Sequence, residues 1–204
     1  MTRGALLLIC GSFLLFCLLY YGSAYLGDFA GSRYHFYFAW EENIPLIPSA
    51  AFVYLSESLM YFPIFRRQTT FAQLWPLALT LALEQVIAAA CFLTFPLEDG
   101  FRPAPPPGGI SGAVWQLAGR VAGRHNYLPS LHVALATTAA LVYARVTRSR
   151  AWKMRLWAAA IALSTLLIHQ HHIADVIAGF ALAWASVRLV YDRLLPASAS
   201  DKPA

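Results

Sequence analysis

The feature that most restricts the fold of this chain is a succession of long apolar runs separated by short polar stretches. Six runs approach the about 20 apolar residues that a helix needs to cross a bilayer. They cover residues 5–26, 44–65, 71–95, 129–146, 154–168 and 173–195. Charged residues form only 12% of the 204 residues, about half the share of a soluble domain. We therefore predict an all-α, polytopic membrane protein, a bundle of six transmembrane helices.

The domain organisation follows from the same runs. The first run is longer than the apolar core of a signal peptide, so we expect it to be a retained transmembrane helix. No internal repeat or separate soluble segment interrupts the chain. We predict one integral membrane domain over residues 1–195, followed by a short disordered cytoplasmic tail, residues 196–204.

The net charge of +5 lies in short clusters between the apolar runs and not on a continuous face. This distribution excludes a nucleic-acid partner and instead indicates membrane topology, because cytoplasmic loops are rich in arginine and lysine. Arg66 and Arg67 follow the second run, and a larger basic cluster at residues 148–155 follows the fourth. Both termini are expected in the cytoplasm, and the expected location is a bacterial plasma membrane.

With this topology, every histidine falls on the extracytoplasmic side, in or beside a loop. The six are His35, His125, His132, His169, His171 and His172. Titratable groups gathered at one surface are what an active site requires. We therefore predict the active site at the extracytoplasmic membrane surface.

The segment from His171 to Asp175 opens the sixth run. These two residues are four apart, so on a helix they would share one face. A carboxylate beside an imidazole fixes its tautomer and makes the other ring nitrogen more nucleophilic. The alternative is that both residues only mark the polar end of a membrane span.

The segment from Asn126 to His132 opens the fourth run. Pro129 and Ser130 are typical of a helix start, where free amides and the positive end of the helix dipole favour phosphate. His132 follows closely, and a protonated imidazole could donate to a leaving oxygen. A capped helix with an interfacial histidine is the alternative.

Arg102 lies in the proline- and glycine-rich outward loop from Glu98 to Arg124. Arginine binds phosphate in a bidentate manner, although a solvated loop residue is the simpler interpretation. Glu57 and Glu84 lie in the middle of the second and third runs. A hydrogen bond between helices is the first interpretation for both glutamates, and a place in a headgroup cavity is the second.

The order of these segments resembles the type 2 phosphatidic acid phosphatase superfamily. An Arg-Pro pair precedes the fourth run, Ser-x-His opens that run, and His-x-x-x-Asp opens the sixth. More narrowly, residues 128–133 and 164–175 resemble its inositol-phosphorylceramide-synthase-like branch. The resemblance covers about residues 28–184, including Ile-Pro-Leu-Ile-Pro at residues 44–48.

This resemblance implies a role for each matching residue. His171 would attack phosphorus and form a phosphohistidine, Asp175 would support it, and His132 would protonate the leaving alcohol. Arg102 and Ser130 would hold the phosphate, with no metal and no cofactor.

Two positions depart from the pattern of the superfamily. Phe95 stands where a lysine is common, and Thr165 stands where an arginine is usual, although threonine is usual in the narrower branch. Arg124 or His169 could supply the missing positive charge.

The resemblance thus implies a membrane lipid phosphate phosphatase that acts on a phosphomonoester or pyrophosphate. The partners expected are its lipid phosphate substrate and the membrane lipids, and no obligate protein partner is evident. One alternative is a lipid headgroup phosphotransferase similar to inositol phosphorylceramide or sphingomyelin synthases, in which an alcohol replaces water. Another is a transporter or assembly factor that kept the fold without catalysis.

Overall fold

The computed structural model describes residues 1–31, 33–98, 100–101, 105, 107–147 and 150–195. The predicted tail, residues 196–204, lies outside them. Helices dominate, as predicted: α1 (Arg3–Gly27), α2 (Ala51–Tyr54), α3 (Phe62–Phe65), α4 (Phe71–Thr94), α5 (Gly109–Val121), α6 (Leu131–Val146), α7 (Ala151–Leu167), α8 (Ile173–Ser186) and α9 (Asp192–Leu194). Short 3₁₀ segments lie at Ala39–Asn43, Pro48–Ala50 and Glu57–Tyr61, and a π-helical segment, Val187–Tyr191, joins α8 to α9.

Contacts at the ends of the helices show that the chain runs back and forth between two ends of the bundle. At the first end, the amide of Thr2 donates to the carbonyl of Thr69 at 2.9 Å, and Arg145 pairs with Asp192. At the second end, the amide of Ile47 donates to the carbonyl of Leu167 at 2.7 Å. The turn between α7 and α8, which holds three of the histidines, lies at this second end.

Three helical stretches are long and apolar enough to cross a membrane: Arg3–Gly27, Phe71–Thr94 and Ile173–Leu194. They match the first, third and sixth predicted spans. The other three predicted spans do not reach this length among the described residues. Helix α6 has 16 residues, which at 1.5 Å per residue is about 24 Å against a hydrocarbon thickness of about 30 Å. Ten of those residues are buried, so its surroundings are mainly protein, and its length need not match the lipid.

The second predicted span is not one continuous helix. Residues 44–65 form a series of short helical turns instead. Pro48 and Pro63 each stand in the first turn of a new segment, where a missing N–H is tolerated. Between them, the hydroxyl of Ser56 donates to the carbonyl of Val53 at 2.6 Å, a local bond that competes with the helical ladder.

The predicted outward loop from Glu98 to Arg124 contains a helix, α5. Its Trp115 donates through the indole N–H to the carbonyl of Ile168 at 3.0 Å. Ala118, fully buried, packs with Ile168, Ala51 and Tyr54. Helix α5 therefore lies against the turn that carries the histidines. The sequence did not predict this helix, since the segment is rich in proline and glycine and its 13 helical residues are too few for a transmembrane span.

The predicted orientation can be tested with introduced cysteines. Gly31 is exposed at the second end, and a β-carbon there would meet no other atom within 4 Å. Arg67 is exposed at the first end. In a variant that lacks Cys10, Cys17 and Cys91, we expect an impermeant thiol reagent to label Gly31→Cys in intact cells and to spare Arg67→Cys. Labelling of Arg67→Cys alone would show that the topology is the reverse of the predicted one.

Candidate active site

The turn between α7 and α8 is fixed by its own backbone. The carbonyl of Thr165 accepts from the amide of Gln170 at 2.9 Å and from the amide of His171 at 3.3 Å. His169 adopts a left-handed conformation, with φ of 59°, which reverses the chain within a few residues. This turn joins α7 to α8 in a tight hairpin and fixes the direction in which His171 leaves the backbone.

His171 and Asp175 come together, although not for the predicted reason. His171 precedes α8, whose N-cap is His172, so the two residues do not share a helical face. The Asp175 carboxylate reaches back instead and accepts from the amide of His172 at 2.8 Å. The same oxygen lies 3.5 Å from Nδ1 of His171, longer than the about 2.7–3.2 Å of an N–H···O hydrogen bond. Such loose contacts are common at catalytic pairs without a bound substrate.

Glu41 holds the neighbouring histidine in place, a role that the sequence did not suggest. Its carboxylate is fully buried and lies 3.2 Å from Nδ1 of His172. It also accepts from the amide of Ile173 at 2.8 Å, in the first turn of α8. The amide of Gly100 donates to Nε2 of His172 at 3.2 Å. With both ring nitrogens engaged, His172 is part of the framework around His171.

His132, in the first turn of α6, contacts the broken second segment. Its Nε2 lies 2.7 Å from the carbonyl oxygen of Tyr54, and its ring stacks on the Tyr54 ring with centroids 3.9 Å apart. A carbonyl only accepts, so Nε2 must carry the hydrogen. Nδ1 is therefore the ring nitrogen that remains for proton exchange. The sequence did not identify Tyr54 as its partner, because the two residues are 78 positions apart.

The starts of α6 and α8 are joined by main-chain contacts. The amide of Ser130 donates to the carbonyl of Asp175 at 3.0 Å. A β-carbon on Gly179 would lie 2.4 Å from the carbonyl oxygen of Ser130, so only glycine allows this approach. The hydroxyl of Ser130 accepts from the amide of Val133 at 3.3 Å, which confirms the predicted cap. The two predicted motifs therefore lie next to each other.

The remaining predicted phosphate ligands differ in their positions. Arg124 is exposed between α5 and α6 and makes no hydrogen bond or ion pair within the described part of the chain. His169 lies 2.9 Å through Nε2 from the carbonyl of Ile44. Arg102 lies outside the described residues, but the preceding Phe101 stacks on His169 and His172, with centroids 4.0 and 4.3 Å apart.

A cavity of about 350 Å³ contains His132 and His171 in its wall. Its other lining residues are mostly apolar or aromatic. Four come from α1, namely Phe13, Phe16, Tyr20 and Tyr21, and the others are Tyr54, Leu55, Glu57, Ser58, Val121, Leu131 and Leu135. Helix α1 is little buried against the rest of the protein. The two histidines thus share a space bounded by the helix that would face the lipid.

A family comparison covers most of the chain. The family model of the PAP2 superfamily matches residues 49–196, which include both histidine motifs. The chain belongs to the PAP2 superfamily, whose members are generally phosphatases or phosphotransferases acting on lipid phosphates. Comparisons with curated proteins and with solved structures returned no match.

Proposed function

We propose that this protein is a membrane lipid phosphate phosphatase that works through a phosphohistidine. The observation that carries the proposal is the cavity shared by His132 and His171. One imidazole is placed beside a carboxylate and the other beside a carbonyl, as expected for a nucleophile and a proton carrier. The apolar walls of the same cavity suit the hydrocarbon part of a lipid.

In the first half of the reaction, Nε2 of His171 attacks phosphorus while the bond from phosphorus to the lipid oxygen breaks. Asp175 keeps the hydrogen of His171 on Nδ1, so that Nε2 presents its lone pair. His132, protonated on both nitrogens, gives the Nδ1 proton to the leaving oxygen and keeps its bond to Tyr54. The products of this step are a lipid alcohol and phosphohistidine.

In the second half, His132 takes a proton from water through Nδ1 as the water oxygen attacks phosphorus. The bond between phosphorus and Nε2 of His171 breaks, which releases inorganic phosphate and restores both histidines. We assign the phosphate oxygens to Arg102, Ser130 and Arg124, with His169 as a further candidate. Fixed hydrogen-bond donors of this kind can meet the charge of the transferring group without a metal ion.

The walls of the cavity suggest how the lipid substrate would lie in the membrane. The phosphate would lie at the second end of the bundle, and the hydrocarbon chain would extend along Phe16 and Phe13 of α1. We propose that the substrate enters from the extracytoplasmic leaflet, in line with the predicted orientation. The narrower relation to the inositol-phosphorylceramide-synthase-like branch remains a prediction from the motifs.

Hydrolysis can be tested with the purified protein in detergent and excess EDTA. We expect inorganic phosphate to be released from a monophosphate lipid without an added alcohol. If release stays negligible until a lipid alcohol or inositol is supplied, and a new phosphodiester then forms, the protein is a transferase. If no lipid phosphate or diester is converted while the protein binds lipid normally, the non-catalytic alternative is correct.

A further inference from the structure

Glu57 is a buried acidic group that the proposed reaction does not use. Glu57 is 8% exposed, and its Oε1 is buried with no hydrogen-bond partner among the described residues. A buried carboxyl oxygen without a hydrogen-bond partner is unfavourable, because it has lost its contact with water and gained no other partner. Such a group inside a membrane protein therefore calls for a ligand or a functional role.

Glu84 shows what a structural glutamate looks like in this bundle. It is fully buried, and its Oε1 accepts from the hydroxyl of Thr138 at 2.6 Å, a bond between α4 and α6. Its Oε2, like Oε1 of Glu57, has no partner among the described residues, so the interhelical bond is what distinguishes Glu84. This matches the first interpretation offered for both glutamates. Glu57 has no such bond in the described structure, and it lines the cavity that contains His132 and His171. The second interpretation, a place in the substrate cavity, therefore applies to Glu57.

The depth of Glu57 follows from two contacts along α6. Tyr54 contacts His132 in the first turn of α6, and the hydroxyl of Tyr61 donates to the carbonyl of Leu135 at 2.9 Å, about one turn further in. Glu57 lies between Tyr54 and Tyr61 in the chain. It is therefore on the membrane side of the proton carrier, beside the part of a lipid that links phosphate to hydrocarbon.

We infer that Glu57 binds a hydroxyl group on the lipid backbone close to the reacting phosphate. Both the ionised and the protonated carboxyl group offer an oxygen lone pair to a hydroxyl, so the match holds in either state. The surrounding wall is largely aromatic and aliphatic, which would strengthen one well-placed hydrogen bond. The inference rests on the proposed function for the position of the phosphate. The hydroxyl could belong to the phosphorylated lipid itself or to an acceptor alcohol.

The test compares oleoyl lysophosphatidic acid with its deoxy analogue, which lacks only the glycerol hydroxyl. We expect the wild type to favour the hydroxylated lipid in kcat/KM by about tenfold, the effect of one buried hydrogen bond. Glu57→Leu should bring this ratio close to one, whereas Glu57→Gln, which keeps an acceptor oxygen, should retain most of it. Glu84→Leu is the matched control, expected to lower the melting temperature and to keep the ratio.

A second arm supplies monooleoylglycerol as an acceptor with the deoxy phosphate as donor. If the hydroxyl site serves an acceptor, the wild type forms a phosphodiester and Glu57→Leu shifts the products toward inorganic phosphate. The inference is overturned if Glu57→Leu matches the wild type in both arms.

Thermal stabilisation of the protein by the two lipids separates this inference from the proposed function. If no lipid is converted, the proposed function fails, and the binding preference alone decides the role of Glu57. A stronger shift with the hydroxylated lipid that disappears in Glu57→Leu supports the role. Equal shifts in the wild type refute it.

Discussion

Replacement of His171 by alanine is expected to abolish turnover and to leave the melting temperature nearly unchanged. Loss of the attacking group should lower kcat by a factor on the order of 10⁴ or more. Its ring Nδ1 makes no hydrogen bond with any described residue, so removal of the ring breaks little of the fold. Phosphate release and thermal unfolding of the same preparation measure both effects. An acid-labile phosphoenzyme should form in the wild type and be missing in the variant.

His172→Ala is the matched control, since the two histidines are adjacent in the chain. His172 bonds through both ring nitrogens and stacks on Tyr37, with centroids 4.7 Å apart. Its removal leaves the buried Glu41 without a side-chain partner among the described residues, so the melting temperature should fall. A His171→Ala variant that keeps more than a few per cent of the activity would show that another group attacks phosphorus.

Replacement of Asp175 by asparagine is expected to lower kcat by up to about 10⁴, the loss seen when a supporting carboxylate becomes an amide. The amide oxygen can still accept from the amide of His172, so the start of α8 should persist. What is lost is the negative charge that stabilises the imidazolium of His171 and fixes its tautomer. Steady-state kinetics and the melting temperature together separate the chemical effect from the structural one.

Asp192→Asn provides the comparison at the opposite end of the bundle. Asp192 is also an acidic helix residue, paired with Arg145 and far from the histidines along the helix. Its replacement should change stability slightly and leave kcat within a few-fold of the wild type. A loss below tenfold in Asp175→Asn would mean that Asp175 acts mainly as the cap of α8.

The long apolar helices could be predicted closely because their signal is local. The first run was placed at residues 5–26 and α1 covers Arg3–Gly27, while the third was placed at 71–95 and α4 covers Phe71–Thr94. The break in the second run and the existence of α5 could not be predicted in the same way. Both depend on partners distant in the chain, such as Trp157, whose indole N–H donates to Ser56 at 2.9 Å across 101 positions.

The contacts among the candidate site residues could be predicted only in part. Spacing predicted the proximity of His171 and Asp175, although not the backbone geometry that produces it, and helix-start chemistry identified Ser130 as a cap. Both are contacts within a few residues. Glu41 gave no signal, since an acidic residue in an outward loop is ordinary until a buried histidine 131 positions away contacts it. The catalytic roles themselves remain proposals for the variants above to test.

The bond to Tyr54 and the proposed proton transfer place two separate requirements on position 132. Because the second segment is interrupted, the Tyr54 carbonyl accepts from no backbone amide in the described part of the chain. In a bilayer such an oxygen must find another donor within the protein. Glutamine could donate to it but could not carry a proton to substrate, and an ionised carboxylate could not donate at all. Few amino acids meet both demands. If the proposed role of His132 holds, a change in the irregular backbone at Tyr54 would also change which amino acids can serve at position 132.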